Sequence, residues 1–195
     1  MKALAFISLA ICFLLPRGMP AAPTDGTSPT EVITRLVANA SKKPLGPVEN
    51  DVTAQTVQTM TALAKDPDLK VMGGSLRESI AAEYNEYTLE GPLTSLYSEG
   101  PAALFYGKVK LTRAALADYK QDAGQDNTVG FGDSGGFSMF IDSKVRDDGH
   151  VIATFCLVQQ QGLWKVHGVY LSNDIIAGAN KDFIIRQLSA FAKKP

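Results

Sequence analysis

A chain of 195 residues with 45% hydrophobic and 20% charged residues has the length and composition of one globular domain, which excludes wholesale disorder. Asp and Glu number 20 against 19 Lys and Arg. Setting aside Lys2 and Arg17 of the leader leaves 17 basic groups and a mildly acidic remainder, so no nucleic acid or anionic lipid partner is expected, because either would call for a basic stripe.

Lys2 gives a short positive start, Ala3 to Leu15 is apolar apart from Ser8, and Pro16, Gly18 and Pro20 break the helix before the small pair Ala21-Ala22. This order predicts a signal peptide over 1–22, cleaved near Ala21 or Ala22. The apolar run falls short of the roughly 20 residues a spanning helix needs. No integral membrane span is therefore expected after cleavage, and the processed chain is expected in the periplasm or outside the cell. A retained amino-terminal anchor is the competing reading. Leu9-Ala10-Ile11-Cys12 looks like a loose lipobox, but Ile11 is too large for that cleavage position. Once Cys12 leaves with the leader, Cys156 is the remaining cysteine, so no intramolecular disulfide can form. Its setting in Phe155-Cys156-Leu157 reads as a small buried hydrophobe in mid-strand.

Residues 23–29 read as a flexible lead-in, and 30–195 as a single α+β domain. Val32, Ile33, Leu36, Val37 and Ala40 recur at helical spacing, with Thr30 as candidate cap and Ser41-Lys42-Lys43-Pro44 as terminator. A second helix is predicted from Val52 to Ala64, capped by Asn50 or Asp51, with Val57, Met60, Leu63 and Ala64 as its apolar face. Ser75 and Glu78 form a capping-box pattern for a third helix carrying Leu76, Ile80 and Tyr84, after a link over 68–74 that turns at Gly73-Gly74. From Leu104 to Leu111 the period changes to two, with Phe105, Gly107, Val109 and Leu111 on one side. Thr112 caps a short helix to about Tyr119, stapled by Leu111 and Leu116.

A glycine-rich loop follows from Gln121 to Gly136, then three strands: Phe137–Arg146, His150–Gln160 and Leu163–Leu171. Asp148-Gly149 and Gln161-Gly162 mark hairpin turns between them. The closing segment, Asp182–Lys194, places Ile184, Leu188 and Phe191 on one helical face. The whole predicts α+β architecture, with amino-terminal helices packed on a curved antiparallel sheet and a carboxy-terminal helix.

Several motifs resemble chemistry. Gly132-Asp133-Ser134-Gly135-Gly136 spells the peptide around a serine-protease nucleophile. Both histidines, His150 and His167, follow Ser134, the reverse of the order in chymotrypsin-like enzymes, and the strand predicted at Phe137 denies the helix that a nucleophile elbow needs. Gly130, Gly132 and Gly135 fit a dinucleotide fingerprint in letters only, since no strand precedes and no helix follows. Two histidines and one cysteine offer no metal-ligand spacing. No metal and no cofactor is expected.

His150 beside Asp147 and Asp148 reads as a surface residue. His167 is placed on one strand face with Lys165, Val169 and Leu171, opposite Trp164, Val166 and Tyr170. It is the candidate general base, with Asp142 as its carboxylate partner. Asn39-Ala40-Ser41 matches an N-glycosylation acceptor, but within a predicted helix.

The turn Asp148-Gly149, the strand Ala153-Thr154-Phe155-Cys156-Leu157-Val158 and the closing Gly162-Leu163-Trp164-Lys165-Val166 resemble the nuclear transport factor two-like superfamily, also called the cystatin-like or SnoaL-like cone. The resemblance covers 137–172. The long helical prelude and the carboxy-terminal helix depart from that pattern. It implies a conical pocket between sheet and helices, and a fold whose members include enzymes, ligand binders and assembly modules, so fold leaves function open.

Lacking a paired catalytic set, the sequence favours an exported non-catalytic binding or interaction protein, with an unidentified protein or a small apolar ligand as partner and self-association into a homodimer left open. An antitoxin-like inhibitor of a secreted effector is a subclass of this reading. The alternative is a small-molecule isomerase, dehydratase or hydrolase working through His167 and a carboxylate.

Overall fold

A computed structural model describes residues 27–65, 75–122, 138–140 and 144–193. The leader, the link before Ser75, the glycine-rich loop with Ser134, and Asp142 all lie outside the described residues.

Among the described residues the fold is α+β: five helices around a curled, mainly antiparallel sheet, with the last helix at the carboxy terminus. Helix α1 (Pro29–Ala40) starts in what was expected to be lead-in. Its cap is Ser28, whose hydroxyl accepts from the Glu31 amide while Glu31 accepts from the Ser28 amide at 2.7 Å, so both otherwise orphaned donors are met. A 3-10 turn (Val48–Asn50) leads to α2 (Ala54–Lys65). The cap there is Thr53, whose hydroxyl accepts from the Thr56 amide at 3.3 Å. Asn50 and Asp51, the expected caps, stand just before it. Met60 and Val57 contribute to the core as predicted.

Helix α3 (Leu76–Tyr84) is capped by Ser75, which accepts from the Glu78 amide at 3.2 Å. Glu78 answers the Ser75 hydroxyl at 2.8 Å rather than its amide. Strands β1 (Tyr87–Leu89) and β2 (Thr94–Glu99) follow, and both pair with β3 (Ala102–Leu111). Thr112 caps α4 (Arg113–Asp122), its hydroxyl 3.3 Å from the Ala115 amide. After β4 (Ser138–Phe140) come the long strands β5 (His150–Gln160) and β6 (Leu163–Ser172), then α5 (Gly178–Phe191).

The strand order is β1-β3-β5-β6-β4. The turn between β5 and β6 is as expected: Gln161 and Gly162 both take positive φ, at 54° and 80°, the pair of left-handed residues that matches the twist of two antiparallel strands. The first expected hairpin differs. Gly149 turns at φ 70° with its amide on Arg146 O, but β5 pairs with β3 and β6. Strand β4 instead runs parallel to β6, Ser138 opposite Val169. The turn chemistry is local and was legible; the partner of the incoming segment is a long-range choice, which a turn does not dictate.

Each face of the sheet has its own core. Phe155, Val109, Leu157, Val166 and Leu171 face α1, α2 and α3, which deliver Leu36, Met60, Ile80 and Tyr84. Leu104, Cys156 and Val158 face Ile184 and Leu188 of α5. Fully burying side chains of this size contributes about 1.5–3 kcal/mol each, and two-sided burial explains why β5 reads as a nearly unbroken apolar run. Cys156 is buried, as its sequence setting predicted, and burial pushes its thiol pKa upward.

Candidate functional site

His167 sits on an irregularity. Cys156 pairs with Gly168 and Leu157 with Val166, leaving His167 as the extra residue of a β-bulge. The bulge resets the alternation. Trp164 and Val166 before it, and Val169 and Leu171 after it, all enter the same core. The expected split, with Val169 and Leu171 opposite Trp164 and Val166, is therefore wrong, because a strict period of two does not survive an inserted residue.

The edge of β6 at this point is held by the segment before α2. Val52 bridges Val166 in parallel, the Thr53 amide donates to Val166 O at 3.0 Å, and the Val166 amide donates to Asp51 O at 2.8 Å. His167 Nδ1 lies 3.3 Å from Thr53 Oγ1, which is itself 2.9 Å from Thr56 Oγ1. The imidazole packs against Phe191 of α5, with ring centroids 4.2 Å apart and planes at 39°. Only 6% of the residue is exposed. It links the bulge, the start of α2 and the end of α5, and a substrate would have to displace this packing to reach the ring. Asp142, its expected partner, lies outside the described residues.

His150 is partly exposed, as expected. Its Nε2 is 3.2 Å from Glu90 and its Nδ1 3.3 Å from Asp148. The His150 amide holds the Asp148 carboxyl below its ordinary pKa. Among the described residues no group of three or more His, Cys, Asp or Glu side chains is arranged to hold a metal ion, and no helix is long and apolar enough to cross a membrane. Asn39 of the glycosylation motif is buried in the last turn of α1, where the folded protein offers it to no transferase.

An open groove of about 980 Å³ lies between the end of α1 and the start of α3. Lys42, Lys43, Pro44 and Leu45 line it from the loop after α1, and Ser75, Arg77 and Glu78 from the start of α3. Asn85, Thr88 and Thr112 complete it. Its loop wall is tied down by Asn39, whose carbonyl accepts from the amides of Lys42 (3.3 Å) and Gly46 (3.1 Å) while its side chain accepts from Lys42 Nζ at 2.7 Å. Gly46 is required there: a Cβ would come within 2.5 Å of Asn39 Oδ1.

Opposite, Arg77 pairs with Glu49 and holds that carboxyl below its ordinary pKa by hydrogen bonding. Glu78 is engaged by the Ser75 hydroxyl. Lys43 has no ion-pair or hydrogen-bond partner among the described residues. In the sequence these residues serve only as punctuation: Lys42-Lys43 as a helix terminator and Ser75 as a cap. A basic pair followed within four residues by Pro44, Gly46 and Pro47 signals a shaped basic loop, but nothing local announces that α3 begins beside it.

No family model, no curated protein and no solved structure matches the chain.

Proposed function

We propose that this chain is an exported, non-catalytic binding or interaction protein acting in the periplasm or outside the cell, and that the groove between α1 and α3 is its binding surface. The observation that carries the reading is the contrast between the two loci. His167, the one candidate base, is packed between Thr53 and Phe191, whereas the groove offers solvent-facing cations, hydroxyls and an amide on a wall fixed by Asn39. Such a set suits recognition, which asks for placed polar groups around apolar surface.

Kinship with the nuclear transport factor two-like superfamily belongs to the same proposal: the curled sheet with α1, α2 and α3 against one face fits it, while α5 on the opposite face departs from it. The core between the sheet and α1–α3 is occupied by Tyr84, Tyr87, Met60 and Phe155, which favours binding at the surface groove over catalysis beneath the helices.

The test is to titrate the processed, isotope-labelled protein with small-molecule and protein fractions of its own extracellular or periplasmic fluid. The reading expects amide shifts at the groove, with no component consumed. Turnover of a component by the wild type that is lost in both His167→Ala and the size-matched His167→Gln would overturn it. Export is checked separately by the mass of the secreted protein, expected to begin after Ala21 or Ala22.

A further inference from the structure

We propose that the groove receives an acidic peptide segment of a partner protein, one that places an apolar side chain between carboxylates. This rests on the groove being the binding surface, and adds the chemical class of what it takes.

Charge and surface character both match such a segment. The chain as a whole is mildly acidic, yet three cations (Lys42, Lys43 and Arg77) line this groove against a single carboxylate, Glu78. A local positive field on an otherwise acidic surface steers an anionic partner to that place and disfavours it elsewhere. The cations are not equivalent. Arg77 is largely satisfied by Glu49, and Lys42 is steadied by Asn39, which leaves the exposed Lys43 ammonium as the cation that no side chain among the described residues engages. Glu78, although hydrogen-bonded by Ser75, keeps its negative charge, so three cations set against Glu78 and Glu49 leave the groove one net positive charge.

Charge alone would suit any polyanion, but the lining also includes Ala40, Pro44 and Leu45, which reward an apolar group. Ser41, Asn85, Thr88 and Thr112 supply donors and acceptors of the kind a peptide backbone uses. A groove of about 980 Å³ that opens to solvent accommodates several residues of extended chain rather than one enclosed small molecule.

The test uses the processed full chain and three probes: a blocked pentapeptide Glu-Leu-Glu-Leu-Glu, its Lys-Leu-Lys-Leu-Lys counterpart, and inorganic tripolyphosphate. The acidic peptide is expected to shift the amides of Ser41, Lys42, Lys43 and Arg77, and the double variant Lys42→Glu/Lys43→Glu to weaken it by roughly tenfold or more. Both lysines are exposed, and circular dichroism checks that the variant folds. Equal binding of the basic peptide, or an affinity unmoved by charge reversal, overturns the proposal. Tripolyphosphate shifting the same amides as strongly as the acidic peptide overturns the peptide class and leaves the groove as the binding surface. Shifts from all three probes confined to other parts of the molecule overturn both.

Discussion

The ion pair between α1 and the segment entering α2 makes an asymmetric prediction. Arg35 Nε lies 3.1 Å from each oxygen of Asp51, and its Nη2 lies 2.7 Å from Oδ1. The Asp51 side chain is 3% exposed and that of Arg35 48%. Asp51→Asn removes the carboxylate charge from a guanidinium that is already half in water, so the cost is that of the charge-assisted hydrogen bonds, about 1.5–3 kcal/mol. Arg35→Ala strands a carboxylate in a buried site, which costs about 3–5 kcal/mol. At about 2–4 °C per kcal/mol for a domain of this size, the melting temperature falls by about 3–12 °C for the first and about 6–20 °C for the second. Urea and thermal unfolding by circular dichroism measure both. The double variant should cost less than the sum, because the partners share one interaction. If Asp51→Asn proves as costly as Arg35→Ala, or the double variant is additive, the buried-carboxylate reasoning is refuted.

Gly46→Ala forces a Cβ to within 2.5 Å of Asn39 Oδ1 and should destabilise by about 1–3 kcal/mol, read as a lower urea midpoint; an unchanged midpoint would show the wall to be loose. The phenol oxygens of Tyr84 and Tyr87 are buried with no hydrogen-bond partner among the described residues, and burial raises both pKa values. Tyr84→Phe therefore removes an unmet polar group and should leave stability unchanged or raise it by about 1 kcal/mol; a loss would reveal a partner. Glu49 has a folded pKa below its ordinary 4.5 because Arg77 donates to it. Its contribution is thus present above that ordinary value and lost as the pH falls through the folded one. Urea midpoints at pH 7 and pH 3 should converge partly on replacing Glu49 with Gln, and an unchanged gap would count against the pair.

Where structure followed from neighbours in the chain, the sequence announced it. The Ser75-Glu78 cap, the Thr112 cap with its Leu111–Leu116 staple and the Gln161-Gly162 turn are each decided within a few residues. Strand β2 is unmarked in the sequence because Thr94–Glu99 is polar and mostly exposed, so it lacks the apolar alternation that marks a half-buried strand. Its place comes from pairing with β3, a non-local fact. His167 stands out in the sequence, but the face of its neighbours does not follow from a strict period of two, since the bulge that resets β6 is set by its fit against Cys156 and Leu157 and leaves no mark in composition. The groove was invisible for a similar reason: Lys43 and Arg77 are 34 positions apart, and only the packing of α1 against α3 brings them to one place.

The role of His167 is tested most directly by diethyl pyrocarbonate, because the chain has two histidines that differ in access. Peptide mapping after brief treatment of the folded protein should find His150, with a quarter of its side chain exposed, carbethoxylated, and His167 modified only after unfolding. Modification of His167 as fast as His150 in the native state would mean that its imidazole is open to small molecules, and would contradict its assignment as a packed, structural side chain.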